Sequence, residues 1–284
     1  PLTVIFGANS AGKSSLGHLL LALQQTARST DRKRVLNLGD SSSMIDLGTF
    51  ADCLHGHDLG QTMEFELGWK LNRPLDIRDP LVTTARYQGD QMQLIVELVA
   101  GKLDQPEMQA MSYALKKGGR CVLDVSMRRD NKRKFTLSSE HYSFKMADGR
   151  KWPLEEPEKF YRLSDTTAAR FKNAGFMADF ALATESLLDS LSYLGPLRDH
   201  PRRIYPWYGD TPPSVGQRGE DAVRAILAAE NEGRKLNRQA GFHKKGFAEF
   251  IAAWLKDLGV IHDFSVEPVA PGRKEYEVLV KTHE

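Results

Sequence analysis

The chain has 284 residues, of which 41% are hydrophobic and 27% charged, and its formal net charge is +2. These values exclude an intrinsically disordered chain, and the near-neutral charge provides no global field for nucleic acid. The two cysteines, Cys53 and Cys121, exclude a disulfide framework and suit a reducing compartment. No apolar run approaches the ~18 residues of a membrane span, so we expect a cytoplasmic protein without a membrane segment.

Residues 7–15 match the phosphate-loop pattern G-x-x-x-x-G-K-[ST] at every fixed position. Glycines allow the backbone to bend so that successive N–H groups converge on an anion, and the positive end of the following helix adds to that field. We expect Lys13 to reach the β- and γ-phosphates of ATP and the Ser14 hydroxyl to ligate Mg²⁺. The predicted nucleotide-binding residues are Gly7, Ala8, Asn9, Ser10, Ala11, Gly12, Lys13, Ser14 and Ser15.

The segments on either side of this loop fit the same interpretation. Residues 2–6 are apolar and rich in β-branched side chains, which predicts a buried strand. Residues 15–25 contain strong helix formers and predict an α-helix. The sequence therefore predicts a strand, a glycine loop and a helix in succession.

Residues 60–150 indicate an antiparallel β region. Residues 61–71 alternate apolar and polar side chains, as in a strand with one buried face. We expect Gly89-Asp90 and Gly118-Gly119 to form turns. The other predicted strands are 82–88, 91–99, 109–115, 120–128, 133–138 and 141–146.

The remaining third of the chain mixes helices, a proline-rich loop and two strands. Helical patterns occupy 174–192, 218–238 and 245–258. Residues 192–198 predict a short strand, and the prolines within 200–214 exclude a regular helix there. The last two predicted strands are 261–268 and 275–281, on either side of the Pro271-Gly272 turn.

The loop has the form F-G-x-N-x-x-G-K-S from Phe6 to Ser14, which resembles the ATPase heads of the SMC and RecF group and the related overcoming-lysogenisation-defect (OLD) ATPases. A closer likeness is to bacterial AAA-labelled, ABC-like ATPases. Segments 45–50, 55–58, 193–198 and 215–220 are also similar to that group, so the resemblance is strongest over 1–70 and 190–225. It implies an α/β P-loop fold of the ABC-head type, with an antiparallel β subdomain and a helical region.

An ABC head also needs an apolar strand ending in Asp-Glu and a signature loop. The best candidate for the first, 121–125, has too few apolar residues and no acid after Asp124, which favours an ordinary strand. The segment 214–218 only superficially resembles a signature loop. We therefore expect the 284 residues to be the N-terminal lobe of a larger head; the start at Pro1 suits a trimmed fragment or removal of an initiator Met. No catalytic residue is assigned.

Three weaker signals leave alternatives open. His55, His57 and Asp58 could ligate a metal ion, but a loop that packs near the nucleotide is favoured. Arg198 could act near a phosphate, and the following basic and aromatic segment could contact nucleic acid or form a rigid packing loop. Two basic hairpins, including Lys132, Arg133 and Lys134, could bind DNA or RNA or be solvated strand edges.

The sequence thus predicts three parts: the P-loop and antiparallel strands (1–100), a β-rich and helical insertion (101–190), and a helical region with closing strands (191–284). The expected function is an ATP- and Mg²⁺-dependent ABC-like ATPase. The resemblance implies a homodimer of heads, or a complex with an effector such as a nuclease, in anti-phage defence or genome maintenance. The alternatives are a non-catalytic ATP-sensing scaffold and a nucleic-acid-binding module.

Overall fold

The computed structural model describes residues 2–9, 12–149, 152–238 and 243–282. The chain divides into two compact units, Pro1–Leu191 and Ser192–Glu284. The described sheets are antiparallel, and the P-loop fold class stays a prediction. No helix in the described part of the chain combines the length and the apolar character that a membrane crossing requires.

A five-stranded antiparallel meander forms the centre of the first unit. Its strands follow the chain order and are β1 (Met63–Arg78), β2 (Arg86–Ala100), β3 (Pro106–Lys117), β4 (Arg120–Arg129) and β5 (Phe135–Ser138). The antiparallel β region predicted for 60–150 is therefore present. Its β3–β4 turn lies at Gly118-Gly119, as predicted, where both glycines have positive φ.

One face of this sheet is buried and the other is partly solvated. Leu94 on β2 pairs with Tyr113 on β3, which pairs with Val125 on β4, and all three side chains are buried. The residues between them, such as Gln93 and Ser112, are half-buried. This period of two lets the sheet bury a continuous apolar surface while its polar residues stay in water.

The predicted turn at Gly89-Asp90 is wrong, because both residues lie inside the continuous strand β2. A Cβ on Gly89 would lie 2.6 Å from the Leu115 side chain and 2.7 Å from the Lys116 carbonyl oxygen. Glycine is therefore present here for close approach of β3 rather than for a turn. The β1–β2 connection lies at 79–85 instead, where Asp79 accepts the N–H of Leu81 at 2.9 Å.

Two long helices pack in the same core as the sheet, and a short helix lies between them in the chain. Helix α1 (Lys13–Arg28) includes the predicted helix, and a short helix α2 (Asp165–Ala168) is capped by the Ser164 hydroxyl. Helix α3 (Met177–Asp189) lies within the predicted 174–192. Buried aromatic side chains join α3 to the sheet; Phe180, for example, lies 5.4 Å from Tyr113 between ring centroids.

The described part of the second unit contains two smaller sheets and two helices. Its strands β6 (Tyr205–Pro206), β10 (Glu275–Lys281) and β9 (Asp263–Pro268) pair in that order, and β7 (Lys235–Leu236) pairs with β8 (Lys245–Gly246). Helix α4 (Ala222–Asn231) is shorter than predicted, whereas α5 (Phe247–Asp257) agrees with its prediction. A small core joins Trp207 to Leu227 and Ala228.

The predicted strands at 192–198 and 141–146 are wrong. Residues 192–198 contain no strand. Within 141–146 the only ladder contact is an isolated bridge from Met146 to Phe171. The side chains of Tyr142 and Phe144 instead contact Phe176 of the core, so apolar burial explains their pattern without a strand.

The Lys159 side chain provides a test of how α1 is held. Its ammonium group donates to the carbonyl oxygens of Ala27 at 2.5 Å and Ser29 at 3.0 Å, at the C-terminal end of α1. Lys159 is 8% exposed, and burial lowers its pKa. We expect Lys159→Met to lower the free energy of unfolding by about 1–3 kcal/mol, because two half-buried carbonyls lose a charged donor.

Urea unfolding measures this difference, with Lys132→Met at an exposed position as the control, expected to change stability by less than ~0.5 kcal/mol. An equally stable Lys159→Met variant would show that burying the ammonium costs as much as its hydrogen bonds contribute.

Candidate phosphate-binding site

The phosphate loop runs into the N-terminus of α1 through Gly12. Gly12 is the N-cap residue with φ 76° and ψ 9°, a left-handed conformation that glycine adopts without strain. The Lys13 ammonium donates to the carbonyl oxygens of Gly7 at 2.9 Å and Ala8 at 2.6 Å. The lysine thereby closes the two ends of the loop against each other. Ser10 and Ala11 lie outside the described residues.

The open end of α1 has the electrostatics of an anion site. Within the described residues, the first turn of the helix has no acidic side chain and its N-cap has no side-chain hydrogen bond. Ser14 and Ser15 are exposed, and Lys13 is half-buried. Backbone N–H groups of the first turn, the positive helix end and one ammonium group can therefore act on the same volume. The N–H of Ser15 already donates to the Gly12 carbonyl at 3.0 Å. The exposed Ser14 hydroxyl is accessible to a metal ion that accompanies a bound anion.

The predicted buried strand at 2–6 is wrong in this structure. Residues 2–8 have no regular secondary structure, and Leu2 and Phe6 are 92% and 87% exposed. A strand needs a partner for its backbone groups, and no other described strand pairs with this segment. The apolar residues of 2–6 therefore stay exposed in the structure, whereas the helix predicted after the loop is present as α1.

The far end of α1 is fixed by polar side chains that the sequence did not single out. The Gln24 amide donates to the carbonyl oxygens of Leu188 at 2.6 Å and Leu191 at 2.9 Å. The Thr26 hydroxyl donates to Ala22 and accepts the N–H of Asn37 at 2.7 Å. The signal in the sequence is the polar run 24–26, which directly follows the apolar run 19–23. These bonds determine where the helix, and therefore its N-terminus, lies.

The histidine-rich segment does not form a metal-ligand cluster in the described residues. His55, His57 and Asp58 are all exposed, and Asp58 accepts the N–H of Gly60 at 2.9 Å. His57 Nδ1 lies 3.5 Å from an oxygen of Asp52, whose pKa is lowered by hydrogen bonds from Thr49. The side chains of His57 and Asp58 therefore make contacts within this segment of the chain.

Arg198 lies in a loop of the second unit that joins two of the segments used for the family resemblance. Gly195 N–H donates to the Gln217 carbonyl at 2.7 Å, and Asp199 N–H donates to that of Arg218 at 2.9 Å. The Arg198 guanidinium donates back to the Gly195 carbonyl. The two segments, 193–198 and 215–220, are thus one structural element, although they are far apart in sequence.

Carboxylates neutralise part of the basic hairpins. Glu107 accepts hydrogen bonds from Arg129 at 2.6 Å and from Arg133, and Glu97 accepts from Arg128. Of the three basic residues singled out for nucleic acid, Arg133 is thus paired, whereas Lys132 and Lys134 are exposed. The arrangement matches solvated strand edges more closely than a continuous phosphate-binding surface.

Gly12 at the N-cap of α1 and Gly17 within the helix form a matched test of the loop. We expect Gly12→Ala to destabilise the loop by about 1–2 kcal/mol, because an L-residue at φ 76° is strained. Gly17 lies within the helix and is exposed. A Cβ at this position would have no atom of another residue within 4 Å beyond its own helical turn. We expect Gly17→Ala to stabilise the protein by about 1 kcal/mol. Urea unfolding measures both, and changes of the same sign would contradict the left-handed cap.

Glu107 generates a prediction for acid stability. Burial alone raises the pKa of its carboxyl. The hydrogen bonds from Arg129 and from the N–H of Lys102, together with the charge of Arg133, outweigh burial and hold the pKa below its ordinary value of 4.5. We expect Glu107→Gln to cost about 1–3 kcal/mol at neutral pH, since the Arg129 side chain is 11% exposed and loses its carboxylate.

The pH dependence follows from the direction of this shift. A carboxyl with a depressed folded pKa stabilises the protein above its unfolded pKa, and this contribution disappears as the pH falls through the folded value. The difference between wild type and Glu107→Gln should therefore narrow from about pH 7 to about pH 3. The control is Glu97→Gln, whose partner Arg128 is 54% exposed and whose loss should cost less than ~1 kcal/mol. A difference that widens in acid would contradict the assignment.

No protein-family model, curated protein or solved structure matches the chain. The phosphate-binding assignment therefore depends on the residues of the 7–15 segment and on the geometry around Gly12 and Lys13.

Proposed function

We propose that the chain binds ATP·Mg²⁺ through residues 7–15 and is the nucleotide-binding part of an ABC-like ATPase. The observation that carries the proposal is a complete G-x-x-x-x-G-K-S segment that enters the N-terminus of a helix, with Lys13 folded onto the loop carbonyls. A chance match to the pattern would not require a left-handed Gly12 at the helix start.

The roles of the residues follow from their chemistry. The N–H groups of the loop and the first turn of α1 bind phosphate oxygens, and Lys13 exchanges its bonds to Gly7 and Ala8 for bonds to the β- and γ-phosphates. Ser14 supplies a hydroxyl to Mg²⁺. The side chain of Lys13 needs only to swing away from the carbonyls, because its position at the helix start already directs it at the loop.

ATP hydrolysis is the second part of the proposal and rests on the family resemblance. Heads of this type cleave ATP when two of them enclose the nucleotide, so the proposed assembly is a homodimer in the cytoplasm that controls an effector, in defence against foreign DNA or in genome maintenance. No residue of this chain is assigned as the hydrolytic acid. A scaffold that binds ATP without turnover is the principal alternative, and a nucleic-acid-binding module is less favoured because Arg128, Arg129 and Arg133 are paired with carboxylates.

The Lys13 side chain provides the decisive test of binding. We expect Lys13→Ala to raise the Kd for ATP·Mg²⁺ about 100-fold or more, because a charged donor to two phosphates is removed. Ser14→Ala should weaken binding chiefly in the presence of Mg²⁺. Isothermal titration calorimetry measures both effects, and Lys132→Ala is the control. Unchanged affinity in Lys13→Ala would refute the proposed site.

Turnover separates the ATPase from the scaffold. The complete protein that contains this chain should release phosphate over many turnovers, and Lys13→Ala should abolish the release. Tight ATP binding without multiple turnover would favour the scaffold.

A further inference from the structure

Three side chains of different chemistry meet beside strand β4, outside the phosphate loop. His141 Nδ1 lies 2.7 Å from Asp124 Oδ1 and 4.0 Å from Cys121 Sγ. One ligand atom from each residue lies within 4.8 Å of the other two. Cys121 and Asp124 belong to β4, and His141 belongs to the segment after β5.

A β-bulge brings the first two of these residues to one face of the sheet. Leu115 on β3 pairs with Leu123 and the next residue, Lys116, pairs with Cys121, so Val122 is an extra residue on β4. Residues three apart on a regular strand point to opposite faces. Because the bulge adds one residue to β4, the side chains of Cys121 and Asp124 lie on the same face of the sheet. This face is opposite the core that contains Leu123 and Val125.

Hydrogen bonds hold the third residue against this pair. The Asp124 carboxylate accepts the Ser139 hydroxyl at 3.0 Å, the Glu140 N–H at 3.0 Å and the His141 N–H at 3.0 Å. These bonds determine the backbone conformation at His141 and direct its ring at Cys121. The arrangement is thus built by several contacts and is not a chance approach of mobile side chains.

We propose that Cys121, Asp124 and His141 bind a thiophilic divalent cation, with Zn²⁺ as the best fit. Thiolate, imidazole and carboxylate are the ligand types of zinc sites, and three protein ligands leave a fourth position for water. Tetrahedral zinc places S and N about 3.6 Å apart and N and O about 3.4 Å apart. The present separations of 4.0 and 2.7 Å lie within about 0.7 Å of these values.

The accessibility of the site suits an ion taken from solution. The side chains of His141 and Asp124 are 40% and 22% exposed, while Cys121 is half-buried. On binding, the thiol releases its proton to solvent, and the imidazole carries its single proton on Nε2 so that Nδ1 can ligate. The ion would then connect β4 to the segment that follows β5. Strand β5 lies at the edge of the sheet.

A cysteine nucleophile activated by histidine fits these residues less well. Such a catalytic dyad uses one imidazole nitrogen for the thiol and the other for the carboxylate. Here the same atom, His141 Nδ1, faces both Cys121 and Asp124. Three ligand atoms that converge on one point have the geometry of a cation site.

Cobalt and zinc titrations test the proposal in the absence of nucleotide. We expect the wild-type chain to bind one Co²⁺, with a thiolate-to-cobalt charge-transfer band that Zn²⁺ abolishes, and to unfold at a higher temperature with Zn²⁺. Cys121→Ser should abolish the band, and both Cys121→Ser and His141→Gln should raise the Kd for Zn²⁺ at least about 100-fold.

The second cysteine makes a matched control. Cys53 is also half-buried and lies near His55 and His57 in sequence, so Cys53→Ser should keep the full signal. Circular dichroism checks that each variant folds; Cys121→Ser leaves the Asp124–His141 bond in place and should fold. Absence of metal binding, or a band lost in Cys53→Ser and kept in Cys121→Ser, would overturn the proposal.

Discussion

The anchoring of the C-terminal half of α1 is the constraint on which the candidate nucleotide site depends. Gln24 and Thr26 are buried, and a buried amide or hydroxyl must keep its hydrogen-bond partners or pay the cost of desolvation. Their bonds to Leu188, Leu191 and Asn37 therefore fix the rotation and position of the helix. Because an α-helix rises ~1.5 Å per residue, α1 carries this constraint over about 18 Å from Gln24 to Gly12. The loop can be exposed and still be held in place, because its support lies in the core.

The five-stranded sheet separates packing from chemistry in a similar way. One face supplies the apolar core, so its residues are determined by shape and burial. Polar groups on the other face are free to form ion pairs or ligand clusters, as Glu107 and Asp124 do. Local irregularities add to this: Gly89 permits close approach of β3, and the bulge at Val122 turns Cys121 toward Asp124. The proposed cation site thus arises from a departure from regular strand geometry.

Charge distribution limits what the surface of the first unit can bind. Arg128 forms an ion pair with Glu97 of β2, and Arg129 and Arg133 form ion pairs with Glu107 of β3, which favours internal cohesion over attraction of an external polyanion. By contrast, within the described residues the first turn of α1 has no carboxylate. A phosphate therefore meets a positive helix end without a carboxylate at the loop and a partly compensated surface at the basic hairpins.

The sequence by itself determined the features that depend on neighbouring residues. Helices α1 and α5, strands β1, β9 and β10, and the Gly118-Gly119 turn follow from periodicity and turn chemistry, and residues 7–15 carry their phosphate-binding signal without reference to the rest of the chain. Tertiary structure decided the rest. Gly89-Asp90 is locally a turn signal, but the approach of Leu115 makes it part of a strand; residues 2–6 are locally a strand signal, but among the described residues none pairs with them. The contacts of Gln24 span more than 160 residues, and Cys121 reaches His141 only because of a bulge. Such contacts depend on which surfaces meet in three dimensions, and no local pattern encodes that.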